Sequence, residues 1–288
     1  MIYNSYQIAE IIGVNVSTVK RWTDSGRLKC AQSIGGHRKF QLNDIKDFLR
    51  KNKKISTSVN INLLVGENNI LHEAISNLDF NYINNYAYKA LKKGNDNKFS
   101  SLINSLILKN YLYSSIFDNL IIPLLHRIGI DWVNKKISIA EEHMICEILK
   151  KFLCSTNYQY QITEAKYNAF CFTMENDSHD LPLHLAETIL NQIGTIKTYN
   201  LGTNLPIKDF LKVYDSVKPQ IIFISIIYYK DAAWIKSQIN ELYQSILPYD
   251  TRIFIRGAGA HLIRPEKNIY LIKSFHEFSS ILIDTYNN

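Results

Sequence analysis

The stretch "YNAFCFTMENDSHDLPLHLAETIL", residues 167–190, decides the fold of the C-terminal half. It opens on the strand-forming run "YNAFCFT", crosses the polar loop "MENDSHD", and passes into helical spacing near Leu183. A change of period from 2 to 3.6 across a short polar junction reads as strand, loop and helix, the repeating unit of wound α/β sheets. Ligands of such sheets sit at the carboxyl ends of the strands. The loop puts Asp177 and His179 at one of those ends, with Pro182 just behind them.

Working outward, the strand candidates "IKTYNLG", "QIIFISII", "RIFIRG" and "NIYLIK" alternate with helical stretches at 183–193, 206–216, 231–245 and 274–285. This alternation predicts a Rossmann-like doubly wound parallel sheet over 165–288. Upstream, residues 67–160 are helical in pattern: "LHEAISNL", "FNYINNYAYKALKKG", "NKFSSLINSLILKNYLYSSIFDNLIIPLLHRIGIDW" and "SIAEEHMICEILKKFLCS". Gly94, Pro123 and Gly129 read as its punctuation, and a four-helix bundle is its natural packing. The lysine-rich "RKNKKISTSVN" at 50–60 has no period long enough for an element and places a linker over 55–66.

Residues 1–54 form a third segment. "SYQIAEII" has helical spacing and is stopped by Gly13; Ser17 is placed to cap a second helix, "STVKRWTDSG". Two short helices joined by a tight turn make a helix-turn-helix, whose second helix suits the major groove. Then "GRLKCAQSIGGHRKFQLNDIKDFLRK" reads as strand, Gly-Gly turn, strand and closing helix, with His37, Arg38 and Lys39 making the hairpin a basic wing. The fold class is thus a multidomain α plus α/β chain: winged helix-turn-helix, four-helix bundle and Rossmann-like sheet.

Charge supports this division. Residues 1–54 carry 11 Lys and Arg against 4 Asp and Glu, the whole of the formal +7, while the remainder is balanced at 22 of each. A polyanion partner is therefore expected for the head alone, and nucleic acid is the commonest one. With 46% hydrophobic and 20% charged residues, long disorder is not expected. The longest apolar run, 221–229, is about half a membrane span. No signal sequence opens the chain, so a cytoplasmic protein without membrane contact is expected. Cys30, Cys146, Cys154 and Cys171 lack CxxC spacing, against both a disulfide framework and a zinc knuckle.

Three features fall at the strand ends: Asp177-Ser178-His179 after the first strand, Ser225-x-Ile227 after the third, and Gly257-Ala258-Gly259 after the fourth. There is no GxGxxG after the first strand and no GxxxxGK[ST] loop, which disfavours hydride transfer and nucleotide hydrolysis. A histidine with a carboxylate two residues upstream suits a metal ligand whose second nitrogen is held by that acid. It suits a solvated loop equally well, and zinc would need further ligands where only His184 is near in sequence.

The head, through "IAEIIGVNVSTVKRW" followed by "GRLKCAQSIGGHRKF", resembles the MerR-type winged helix-turn-helix. That resemblance implies Thr18, Lys20, Arg21, His37 and Arg38 as the residues facing a double-stranded DNA operator. The strand-end features resemble the DxHxxG … SxL … GG signature of cobalamin-binding Rossmann-type domains. In that family the histidine is the lower cobalt ligand, which implies His179 as the metal ligand, Asp177 as its orienter, and Ser225, Gly257 and Gly259 on the side taking the displaced nucleotide tail.

In "WVNKKISIAEEH", nine residues separate Trp132 from the pair Glu142-His143. By themselves these are a helix-start aromatic and a polar helix pair. Their spacing, and the order of the three segments, resembles the MerR-type cobalamin photoreceptor repressors of the CarH and LitR kind, in which those side chains cover the upper corrin face. The resemblance spans nearly the entire chain. It implies adenosylcobalamin as cofactor and a homo-oligomer, dimer or tetramer, whose state sets repression and responds to light. It implies no enzymatic activity, since no catalytic domain is left once the segments are assigned.

The pattern is departed from at four places. Pro182 stands where the signature has glycine, adding a ring and removing a donor. Ile227 replaces leucine, and Ala258 separates the two glycines. Val133 after Trp132 offers no axial imidazole. These departures keep a second reading open, a MerR-type regulator whose C-terminal domains serve dimerisation or sense another ligand or protein.

Overall fold

A computed structural model describes residues 2–52, 59–160, 162 and 164–286. The chain divides into two compact units, Met1–Ile148 and Leu149–Asn288.

In the first unit, β1 (Ile2–Tyr3) and β2 (Ala31–Gln32) pair antiparallel with β3 (Arg38–Gln41). Helix α1 (Ser5–Ile12) is opened by a capping box, in which the Asn4 side chain accepts from the Gln7 amide and the Gln7 side chain from the Asn4 amide. Gly13, at φ 74°, ends it. The second helix, α2 (Val16–Asp24), has Asn15 at the capping position without a side-chain bond, so Ser17 lies inside the first turn and does not cap it. Ile8, Ile11, Val19, Trp22, Phe40, Ile45 and Phe48 are buried, with the Trp22 and Phe48 rings 4.8 Å apart. This small core is closed by α3 (Leu42–Lys51).

Helix α3 packs on α7 (Asp96–Leu108) of the helical segment. Lys46 lies buried in α3 with its ammonium 4.5 Å from the centre of the Tyr113 ring. Burial, followed by the Arg50 charge and partly opposed by Asp47, pushes the Lys46 ammonium down to about 8. Of the linker expected over 55–66, residues 55–58 lie outside the described residues. Beyond them Val59 and Ile61 are buried, the Asn60 amide donates to the Ile11 carbonyl, and Asn62–Val65 forms a helical turn, α4.

The bundle comprises α5 (Asn69–Asn77), α6 (Phe80–Lys92), α7, α8 (Tyr113–Ile116), a π-helical turn (Phe117–Ile121), α9 (Ile122–Val133) and the start of α10 (Ile139–Asn157). Its breaks differ from the expected ones. Gly94 does end a helix, at φ 65°, but the long run after it breaks at Asn110, which takes φ 67°. Pro123 and Gly129 lie inside α9. The proline is accommodated by the π turn before it, and the carbonyl of Asn119, four residues back, accepts from the Asn84 side chain at 2.9 Å.

The second unit holds five parallel strands in the order β5-β4-β6-β7-β8: β4 (Tyr167–Met174), β5 (Ile196–Leu205), β6 (Ile221–Ser225), β7 (Arg252–Arg256) and β8 (Ile269–Leu271). Helices α11 (Leu181–Asn191), α12 (Ile207–Val217), α13 (Ala232–Ile246) and α14 (Phe275–Tyr286) alternate with them, and a 3-10 turn (Ala258–Leu262) follows β7. The central strands are apolar on both faces, as a covered parallel sheet requires: all of Ile221–Ser225 is buried. The strand order reverses between β4 and β6, which puts the topological switch point at their carboxyl ends.

Candidate functional site

The loop after β4 delivers Asp177 and His179 to that switch point. Asp177 is fully buried, and each carboxylate oxygen accepts two bonds. Oδ1 takes the His179 amide at 3.1 Å and His179 Nδ1 at 2.7 Å. Oδ2 takes the amides of Ile227 at 2.7 Å and Tyr228 at 3.1 Å, both beyond the end of β6. Burial alone would raise the Asp177 carboxyl, but the His179 bond and the three amides outweigh it and hold the group below its usual range. An ionised Asp177 fixes His179 with its proton on Nδ1, so that Nε2 carries the lone pair, and the imidazole is about half exposed. That is the chemistry of a histidine prepared to ligate a metal.

Ser225 pairs in register with Thr173 and is buried beside this loop; its Oγ has no hydrogen-bond partner among the described residues. A buried hydroxyl without a bond is costly unless something else satisfies it. This fits a group seated at the carboxyl ends of β4 and β6. The glycines after β7 tell a different story. A Cβ at Gly257, φ 111°, would stand 2.4 Å from the Ile226 carbonyl oxygen, and one at Gly259 2.4 Å from Ile226 Cγ2. Both are therefore required by the close approach of the β7 turn to Ile226. Pro182 is buried in the first turn of α11, where its missing N–H is tolerated.

No group of three or more His, Cys, Asp or Glu side chains suited to a metal occurs among the described residues. A cavity of about 580 Å³ in this unit is lined by Lys150, Cys154, Asp180, His184, Glu187 and Asn200 among others. His184 is held there within 3.5 Å of Glu187 and Asn200, and it does not join His179.

On the bundle, Trp132 is half exposed at the end of α9, and Glu142 and His143 stand in the first turns of α10, across the connecting turn. Glu142 accepts from Cys146 Sγ at 3.0 Å and lies 3.5 Å from His143 Nε2. In the head, Lys20 and Arg21 are exposed on α2 and Thr18 is half-buried; His37 is exposed on the hairpin turn. Arg38 differs from these, being paired with Asp24 at the end of α2 with its side chain 19% exposed, so it ties the wing to the second helix.

Residues 2–53 match the model of the family described as helix-turn-helix domain, and residues 83–153 match that of the B12 binding domain. One match falls on the head and the other on the helical segment that follows it. The B12 match falls on the helices from α6 to α10, the segment that carries Trp132, Glu142 and His143. The HTH-type transcriptional repressor CarH of Myxococcus xanthus is 23% identical over 145 residues, 50% of this chain and 47% of that protein. The chain thus spans about half the length of the curated relative it matches. The solved monomethylamine corrinoid protein of Methanosarcina barkeri, 14% identical, superposes with a TM-score of 0.55 over 71% of this chain and 98% of its own, a likeness of fold. No helix among the described residues is long and apolar enough to cross a membrane.

Proposed function

We propose that this chain is a non-enzymatic repressor whose operator binding is set by adenosylcobalamin through its oligomeric state, with light as the signal that removes the adenosyl group. The observation that carries the reading is the buried Asp177 carboxylate holding His179 at the switch point, with the Ser225 hydroxyl awaiting a partner beside it. His179 is the lower cobalt ligand in this reading, and Asp177, Ser225, Gly257 and Gly259 form its surroundings. Trp132, Glu142 and His143 are assigned to the adenosyl side. When bound, the corrinoid supplies a light-labile cobalt–carbon bond; the chain supplies the imidazole and its tautomer. Thr18, Lys20, Arg21, His37 and Arg38 would contact DNA, the cations chiefly at phosphates. Joining two or four heads in one oligomer raises operator affinity through effective concentration. The protein acts in the cytoplasm on this reading.

The test is an absorption spectrum of the full chain after dark incubation with adenosylcobalamin and desalting, recorded before and after illumination beside its size-exclusion profile. Retained corrinoid bands that change with light, together with a shift in size, support the proposal. A colourless protein refutes it.

A second reading is favoured by Ile226, whose backbone and side chain already fill the space against Gly257 and Gly259. With Pro182, this suits a C-terminal unit that serves dimerisation or senses another ligand or protein. Colourless protein that still binds DNA as an oligomer would support it.

A further inference from the structure

The Asp177 loop is gripped from two sides. On the side of β6 the grip is on the carboxylate, through the Ile227 and Tyr228 amides. On the side of β5 it is on the main chain. There β5 slips twice against β4: Cys171 pairs with Asn200, Phe172 with Gly202, and Met174 with Leu205. Each slip adds a residue to β5, with Gly202 at φ 82° and Asn204 at φ 58°. At the second slip the Asn204 amide donates to Thr173 Oγ1 and to the Asp177 carbonyl, both at 3.0 Å. Thr173 Oγ1 donates to that same carbonyl at 2.5 Å, and Asn204 Oδ1 accepts from the Asn176 amide at 2.7 Å.

We propose that Asn204 is a positioning residue for His179. Asparagine tolerates the left-handed backbone that the bulge needs, and its carboxamide oxygen is short enough to reach back to Asn176. Asn176 itself turns at φ 71°, directing the Asp177 carbonyl to Thr173 and leaving the carboxylate to face β6 and His179. Held at both main chain and side chain, Asp177 cannot rotate away from His179 Nδ1. Asn204 thereby acts on the imidazole through three intermediaries without touching it. The inference rests on His179 being the lower cobalt ligand, where tautomer and orientation decide ligation.

The experiment uses the full chain labelled with ¹⁵N-histidine, with the His179 ring signals assigned through His179→Gln. Asn204→Gly keeps the left-handed backbone and removes the acceptor; Asn204→Asp keeps both. Wild type and Asn204→Asp are expected to show a single Nδ1–H tautomer. Asn204→Gly is expected to show both tautomers and about tenfold weaker retention of adenosylcobalamin in the dark. Thr173→Val, which removes the hydroxyl at the same carbonyl, is expected to mix the tautomers in the same way. Wild-type tautomer populations in Asn204→Gly and Thr173→Val overturn the proposal. If wild type itself retains no corrinoid while the tautomers follow this order, the cobalt assignment fails and the positioning role stands.

Discussion

Gly259 lies so close to Ile226 that a Cβ on the glycine would stand 2.4 Å from Ile226 Cγ2 and 3.1 Å from its Cβ. Gly259→Ala is therefore expected to destabilise the fold by about 1–3 kcal/mol, the range for overpacking a filled core. Ile226→Ala in the same chain should recover part of that loss. A denaturant double-mutant cycle checks it: a coupling energy near zero would mean that the β7 turn moves aside instead.

Cobalamin retention is expected to depend on His179 and Asp177 in different degrees. His179→Ala should abolish retention through desalting, whereas Asp177→Asn should weaken it by about 10- to 100-fold, the usual effect of losing the partner of a metal-bound histidine. Equilibrium titration by absorbance separates the two. Equal retention by His179→Ala and wild type removes His179 from the cobalt.

Lys46 is expected to make the first unit gain stability as pH rises. Its folded value of about 8 lies below the unfolded lysine value of about 10.4. Between those limits the unfolded chain holds a proton that the folded chain has released, so stability rises with pH through this window and the penalty is fully present below it. The slope of about 1.36 kcal/mol per unit sets an upper bound near 3 kcal/mol. Lys46→Met should raise the melting temperature at pH 7 and flatten its dependence between pH 8 and 10. An unchanged slope in the variant would assign the effect to another group.

Arg21→Ala should weaken operator binding at every sequence tested and lower the salt slope by about 1, as expected for one lost phosphate contact. Corrinoid uptake should be unaffected. Loss confined to one operator sequence would make Arg21 a base-reading residue.

The strand and helix order of the C-terminal unit was legible because its residues are locally consistent. "YNAFCFT" and "QIIFISII" are strand formers, and the polar loops between them fall at the observed junctions. The break at Asn110 was hidden because asparagine takes a left-handed turn only where the tertiary structure asks for it, and nothing beside it in sequence marks the place. Pro123 misled for the converse reason, since a π turn and a side chain from another helix absorb what proline withholds. At the site, Asp177 and His179 stand two residues apart and could be read together. The amides that anchor Asp177 come from Ile227 and Tyr228, about fifty residues on, and a backbone amide leaves no mark in the sequence. Arg38 is placed on the wing by the sequence, whereas its tie to Asp24 at the end of α2 is a tertiary fact that the sequence does not mark.

The seating of α3 on α7, with Lys46 sealed under Tyr113, turns the head from a tethered ligand into a lever. A tether would let each head search for its own half-site. A lever fixes the angle between α2 and the bundle, so in the oligomer proposed above two heads would present a ruler of set length. Inserting half a helical turn of DNA between half-sites would then put the second site on the wrong face of the duplex, where no slack in the protein could recover it.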